Sequence, residues 1–302
     1  GEQRGMISTP KYFKAEDGLE LFGILNLPDN YSTEEIVISI HGQASKCTND
    51  RERQTSKLLA ESGIPYFCFN NRGSEIYTRL KRKVDGKKKS FKFGSMYEKI
   101  SEAPLDILGA IKFLKKFGFK KFYLLGHSLG CTKILYFYNQ LIKSNSPLLK
   151  QIKAVILLSP VDIQGYYFSK NPKALKKSFS LANKFVKRGK LEELVDSDSG
   201  FKIAAQSFLQ YFDPELNIIS YNRNSDFKCF NQINCPLFIR FGAEREMIVD
   251  SPEKTVELIK EKVANKNLDV GFISGANHSY NGKEKILAKQ ILKFIEKNKI
   301  RK

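Results

Sequence analysis

The sequence lacks several features that mark particular classes of protein. It has no apolar run near the roughly 18 residues that a membrane-spanning helix needs, and its first ten residues contain no apolar stretch of the signal-peptide kind. These absences predict a soluble protein. An export signal removed before this sequence begins would leave no trace and stays open.

Cysteine and histidine are both scarce. The five cysteines are odd in number and form no Cys-x-x-Cys pair, which favours reduced thiols and a cytoplasmic location. The three histidines, His41, His127 and His278, are not spaced like metal ligands on one helix. We therefore expect no structural zinc site.

Arginine is also sparse, because it supplies only 11 of the 51 basic residues behind the net charge of +19. Proteins that read bases rely on arginine, and the chain shows no nucleic-acid-binding motif, so we expect no nucleic-acid partner. Segments 79–92 and 170–190 each hold eight basic residues. They could attract an anionic ester, an acidic polymer or a membrane surface, or they form a solvated face. Segment 79–92 is predicted to be a mobile loop.

Apolar residues make up 41% of the 302 residues, which is enough for a sizeable core. Short apolar runs alternate with stretches of helical periodicity, and this alternation is typical of an α/β fold whose parallel sheet has helices on both faces. The predicted strands are 20–27, 36–40, 65–70, 121–126, 154–159, 236–242 and 268–273. The predicted helices are 49–62, 98–117, 131–143, 252–264 and 283–298.

The alternation stops after Pro160 and resumes near Asn234. We therefore divide the chain into a core domain, residues 1–160 and 235–302, and an inserted helical cap, residues 161–234. Aromatic side chains of the cap could line an acyl or aryl pocket, or could simply fasten the cap to the core. These residues are Tyr166, Tyr167, Phe168, Phe179, Phe185, Phe201, Phe208, Tyr211 and Phe212.

The segment Gly126-His127-Ser128-Leu129-Gly130 has the pattern Gly-x-Ser-x-Gly between a predicted strand and a predicted helix. A nucleophile on such a sharp turn needs small residues two positions before and two after it. The start of the helix also offers the backbone N–H of Leu129 to a developing oxyanion. Ser128 is therefore the candidate nucleophile.

A serine hydroxyl needs a base that accepts its proton, and chains with this turn carry the order serine, acid, histidine. His278 is the only histidine after Ser128 and follows the last predicted strand, so it is the candidate base. Our choice for the acid is Glu246, in the loop after strand 236–242. The alternatives that stay open are Glu244, Asp250 and Asp162.

A second oxyanion donor is expected from the loop after the strand that ends at His41 and Gly42. We assign it to the backbone N–H of Gln43, with Ala44 as the alternative. His41 is expected to hold this loop in shape, and His127 to do the same beside the nucleophile.

These segments, together with Asn71-Arg72-Gly73, resemble the α/β-hydrolase superfamily over nearly the whole chain. Within it, the chain looks most like the serine esterase group of monoacylglycerol-lipase or serine-aminopeptidase type. The resemblance implies an eight-stranded, mostly parallel sheet, a Ser-His-acid triad and no cofactor. The sequence departs from the group at the acid, because similar enzymes commonly have aspartate where this chain has Arg245 or Glu246.

The sequence thus predicts a serine carboxylesterase that acts on a small-molecule ester, anionic, acyl or aryl, through an acyl-enzyme. A thioesterase or an amidase would use the same triad and stays open. So does a binding protein that keeps the fold without turnover.

Overall fold

The computed structural model of the chain describes residues 5–299 and contains one large sheet and two small ones. The strands are β1 (Met6–Lys14), β2 (Glu20–Pro28), β3 (Glu35–Ile40), β4 (Tyr66–Asn70), β5 (Thr78–Val84), β6 (Lys87–Phe93), β7 (Lys121–His127), β8 (Ile152–Leu158), β9 (Leu194–Asp196), β10 (Lys202–Ala204), β11 (Leu237–Gly242) and β12 (Leu268–Ile273). The helices are α1 (Asp50–Glu61), α2 (Ala103–Lys115), α3 (Leu129–Lys143), α4 (Ile163–Lys170), α5 (Pro172–Lys187), α6 (Ala205–Tyr211), α7 (Lys228–Asn231), α8 (Pro252–Lys262) and α9 (Glu284–Asn298).

The large sheet has eight strands in the order β1-β2-β4-β3-β7-β8-β11-β12. The pairs β1–β2 and β2–β4 are antiparallel and the other pairs are parallel. This confirms the predicted fold class. In this sheet, β1 is the strand that the sequence pattern did not predict. The parallel strands all run in the same direction, so their carboxyl ends lie along one side of the sheet, called its carboxyl edge below. The loops after β3, β7, β8, β11 and β12 therefore lie close together there.

Helices cover both faces of the sheet because successive residues of a strand point to opposite sides. In β3, Ile36, Ile38 and Ile40 belong to the core beneath α2, α3 and α8, whereas Val37 belongs to the core beneath α1 and α9. Strands buried on both faces are apolar at nearly every position, and this is why they appear in the sequence as short, nearly uninterrupted apolar runs.

The basic segment 79–92 forms a regular hairpin of β5 and β6, so the prediction of a mobile loop was wrong. Asp85 and Gly86 both have positive φ, which fits a two-residue hairpin turn. Leu80 and Phe91 lie partly buried against the main core, and the Arg82 guanidinium lies 4.6 Å from the centre of the Phe91 ring. The Asp85-Gly86 pair between two runs of alternating residues is itself a hairpin signal in the sequence.

Between β8 and β11 the chain forms four helices and the two short strands β9 and β10, which were not expected. Most of its buried apolar side chains make a cluster of their own, and this cluster also contains Leu129, the residue after the candidate nucleophile. The segment therefore packs over the loops at the carboxyl edge of the sheet. Its division from the core as a separate cap stays a prediction.

Candidate active site

Ser128 occupies a strained turn between β7 and α3. Its φ of 54° and ψ of −120° lie outside the regions that residues with a side chain normally adopt. The turn is tight because Gly126 and Gly130 leave no room for a side chain. A Cβ atom at Gly130 would lie 2.0 Å from the Ile40 carbonyl oxygen, and one at Gly126 would lie 2.8 Å from the Cys131 nitrogen. The glycines thus permit the turn that presents the Ser128 hydroxyl.

His278 lies in the loop after β12 and reaches Ser128. The distance from its Nε2 to the Ser128 Oγ is 2.9 Å, and its Nδ1 forms a hydrogen bond with Glu246 Oε1. The backbone carbonyl of His278 accepts a hydrogen bond of 2.8 Å from His127 Nε2, which fixes the loop. The three sequence-predicted residues therefore lie in one hydrogen-bonded line.

The Glu246 carboxylate is almost fully buried, with 2% of its side chain exposed. Its Oε2 accepts hydrogen bonds from the Ser159 hydroxyl at 2.7 Å and from the Gly242 N–H at 2.8 Å. Burial by itself raises the pKa of Glu246, but the hydrogen bond and charge of His278, with the bonds from Ser159 and Gly242, leave that pKa below its ordinary value. The group is thus held as an anion next to the imidazole.

The alternative acids lie elsewhere. Glu244 and Asp250 are exposed. Asp162 caps the N-terminus of α4, where its carboxylate accepts hydrogen bonds from the N–H groups of Gly165 at 2.8 Å and Tyr221 at 3.0 Å. Of the four carboxylates considered, only Glu246 contacts His278.

The loop after β3 lies directly against the nucleophile, since a Cβ atom at Gly42 would be 3.0 Å from that of Ser128. The Ala44 N–H donates to the Ser95 hydroxyl at 2.6 Å and is therefore occupied. Within residues 5–299, the N–H groups of Gln43 and Leu129 have no hydrogen-bond acceptor. This pattern favours Gln43 over Ala44 as the second oxyanion donor.

His41 connects the loop after β3 to the segment that follows β4. Its Nε2 accepts from the Asn71 N–H at 3.1 Å, and its Nδ1 lies 2.8 Å from the Gly42 carbonyl oxygen. Burial, with the charge of Lys133, lowers the pKa of His41 to about 3. Burial, with the charge of Arg51, also lowers the pKa of His127. Both imidazoles are therefore neutral in the folded protein.

The neutral state of His41 predicts a loss of stability in acid. An unfolded histidine binds a proton below a pKa of about 6.5, whereas folded His41 does so only below about 3. Between these values the unfolded chain holds the extra proton, so the free energy of unfolding falls by about 1.4 kcal/mol per pH unit from this residue. Urea denaturation at about pH 6 and pH 5 measures this slope. We expect His41→Asn to have a shallower slope, and equal slopes would contradict the prediction.

Ser128 and His278 open into a cavity of about 410 Å³, a size typical of small-molecule sites. Its apolar wall includes Leu129, Val161 and Ile163. Of the nine aromatic residues of segment 161–234 that the sequence singled out, only Tyr167 and Tyr211 line it. The others, such as Phe179 and Phe208, whose ring centres are 5.0 Å apart, pack among themselves. Most of the nine aromatic side chains therefore pack within this segment and do not line the cavity.

Two other features of the structure concern metal-binding groups of side chains and membrane-spanning helices. In the part of the chain that the structure describes, no three His, Cys, Asp or Glu side chains are grouped so that they could hold a metal ion. No helix in that part is both long and apolar enough to cross a membrane.

Sequence reasoning missed three residues that the structure brings to this site. Ser159 and Ser95 act through hydrogen bonds to Glu246 and Ala44. Arg51 lines the cavity although it lies in a helix. Nothing in the local pattern distinguished these two serines from others, but an arginine near the start of the helix after a predicted oxyanion loop was a usable signal.

A family of proteins described as "Protein of unknown function (DUF1749)" matches residues 98–297, about two thirds of the chain. The chain belongs to this family. The matched region contains Ser128, Glu246 and His278. No curated protein matches the chain.

Several solved structures resemble this DUF1749 protein over almost their whole length. Est1E from Butyrivibrio proteoclasticus, with ferulic acid bound, is 18% identical with a TM-score of 0.62, and the match covers 95% of this chain and 98% of that one. A soluble variant of monoglyceride lipase from Saccharomyces cerevisiae, in complex with a substrate analogue, is 15% identical with a TM-score of 0.62, covering 96% and 95%. An esterase from Pyrococcus furiosus is 19% identical with a TM-score of 0.56, covering 97% and 91%. The protein therefore has the α/β-hydrolase fold, as the resemblance in its sequence predicted.

Proposed function

We propose that this protein is a serine hydrolase that cleaves carboxylic esters with Ser128, His278 and Glu246 as its triad. The observation that carries the proposal is the line of hydrogen bonds from the Ser128 hydroxyl through both nitrogens of His278 to the buried Glu246 carboxylate. The structural similarity to esterases and a monoglyceride lipase supports it.

Each part has a role in the reaction. His278 Nε2 accepts the proton as the Ser128 Oγ attacks the ester carbonyl, and Glu246 stabilises the imidazolium that forms. The N–H groups of Leu129 and Gln43 bind the oxyanion. When the tetrahedral intermediate collapses, the alcohol leaves with the proton from His278. Water then attacks the acyl-enzyme while His278 accepts its proton. The second tetrahedral intermediate collapses as His278 returns this proton to the Ser128 Oγ, which releases the acid and regenerates the free enzyme.

The first test is labelling by a fluorophosphonate with intact-mass readout, beside turnover of p-nitrophenyl acetate, butyrate and octanoate. We expect one label per chain and turnover of the esters. From acetate to butyrate, kcat/KM should rise by about 15-fold, because each of the two added methylenes that enter the apolar cavity contributes about 0.8 kcal/mol.

An unlabelled and inactive wild type would contradict the proposal and would favour a binding protein of the same fold. Labelling without ester turnover would contradict the ester substrate and would favour a thioesterase or an amidase, because the same triad can cleave those bonds.

A further inference from the structure

Arg51 is a buried cation that forms no ion pair within residues 5–299. It is the second residue of α1, and only 6% of it is exposed. The other two buried cations form ion pairs: Arg72 with Asp106 at 2.8 Å, and Lys133 with Glu98 at 2.5 Å. Within the described residues 5–299, Arg51 forms no ion pair, and its buried Nε and Nη2 atoms have no hydrogen-bond acceptor.

Arg51 also lies where its charge is costly. An unpaired buried charge loses its hydration without compensation, which is one of the most destabilising arrangements in a folded protein. In addition, the N-terminus of α1 carries the positive end of the helix dipole, which disfavours a cation in the first turn. A structural role would be better served by an uncharged side chain of the same length, so the cost indicates a ligand.

The surroundings of Arg51 identify the charge of that ligand. Arg51 lines the same cavity as Ser128 and His278, and no Asp, Glu or Lys of the described chain lines it. Gln43, also in the wall, has a buried side-chain Nε2 without an acceptor. The neighbouring His41 and His127 are neutral, because burial lowers the pKa of each. This part of the cavity thus offers hydrogen-bond donors and one positive charge.

We infer that the site takes esters that carry a negatively charged oxygen group, a carboxylate or a phosphate, and that Arg51 binds this group while Ser128 attacks the ester. The inference rests on the proposed function and narrows its substrate class. A guanidinium presents two parallel N–H donors that match the two oxygens of such a group. This recognition is separate from the lysine-rich surface, since it comes from one buried side chain inside the cavity.

A matched pair of esters tests the inference. Mono-p-nitrophenyl glutarate and p-nitrophenyl pentanoate both have five-carbon acyl chains, and only the glutarate ends in a carboxylate. With spontaneous hydrolysis subtracted, we expect the wild type to prefer the glutarate ester. Arg51→Met should lower the ratio of the two kcat/KM values by about 100-fold, as expected for a lost charge-assisted pair of hydrogen bonds. Arg51→Gln serves as a second substitution should the methionine variant fold poorly.

Arg53→Met is the matched control, because Arg53 lies two residues further on the same helix, is exposed, and pairs with Asp50 at 2.8 Å. It should keep the wild-type ratio. A ratio that is the same in Arg51→Met as in the wild type, or that Arg53→Met lowers equally, would overturn the inference.

Equilibrium binding separates this inference from the proposed function. In Ser128→Ala we expect isothermal titration calorimetry to detect glutarate or inorganic phosphate, and the added Arg51→Met change to weaken that binding at least tenfold. The better-bound anion identifies the group. Binding through Arg51 in a protein that hydrolyses no ester would contradict the function alone. Equal turnover of both esters with neither anion bound would overturn the inference and leave the function standing.

Discussion

Ser128→Ala is expected to lower kcat/KM for p-nitrophenyl butyrate by about 10⁴-fold or more, because the variant has no atom that can form the acyl-enzyme. It should also abolish fluorophosphonate labelling. The fold should be unaffected, since the Ser128 hydroxyl has no hydrogen-bond partner other than His278 in the described chain. Thermal unfolding followed by circular dichroism measures this second expectation.

The matched control is Ser101→Ala, which removes an exposed hydroxyl that does not line the cavity. It should keep wild-type turnover and labelling. Residual turnover in Ser128→Ala close to that of the wild type would mean that another nucleophile acts, and the proposed mechanism would fail.

The order of strands and helices could be predicted because each step of the pattern has one physical cause. Strands β3, β4, β7, β8 and β11 are covered on both faces, so their apolar runs stand out from the amphipathic helices between them. Strand β1 is an edge strand in which exposed and partly buried residues alternate, and its pattern is weaker. The short pair β9 and β10 has three residues in each strand, too few for any periodicity to show.

The candidate nucleophile and the candidate base could also be predicted from the sequence, because the turn at Ser128 needs glycines at fixed positions and His278 is the only histidine that follows it. The acid could not be fixed in this way. Asp162 follows β8 and Glu246 follows β11, and these neighbouring parallel strands end at the same carboxyl edge of the sheet. Either carboxylate could therefore lie near His278. The sequence also could not show that Arg51 has no carboxylate partner among the residues that the structure describes, because ion pairing is a property of the tertiary structure.

The two acids make the last prediction. Glu246→Gln should lower kcat by about 10³- to 10⁴-fold, since an amide cannot stabilise the imidazolium and can turn His278 to the wrong tautomer. Asp162→Asn makes the same chemical change at the N-cap residue of α4. It should alter kcat by only a few-fold and should lower the free energy of unfolding by about 1 kcal/mol, because an amide can keep only one of the two hydrogen bonds that the carboxylate accepts, from Gly165 and Tyr221. Steady-state kinetics and urea denaturation of both variants give these values. Equal losses of kcat would remove Glu246 from its assigned role, because only Glu246 contacts the base.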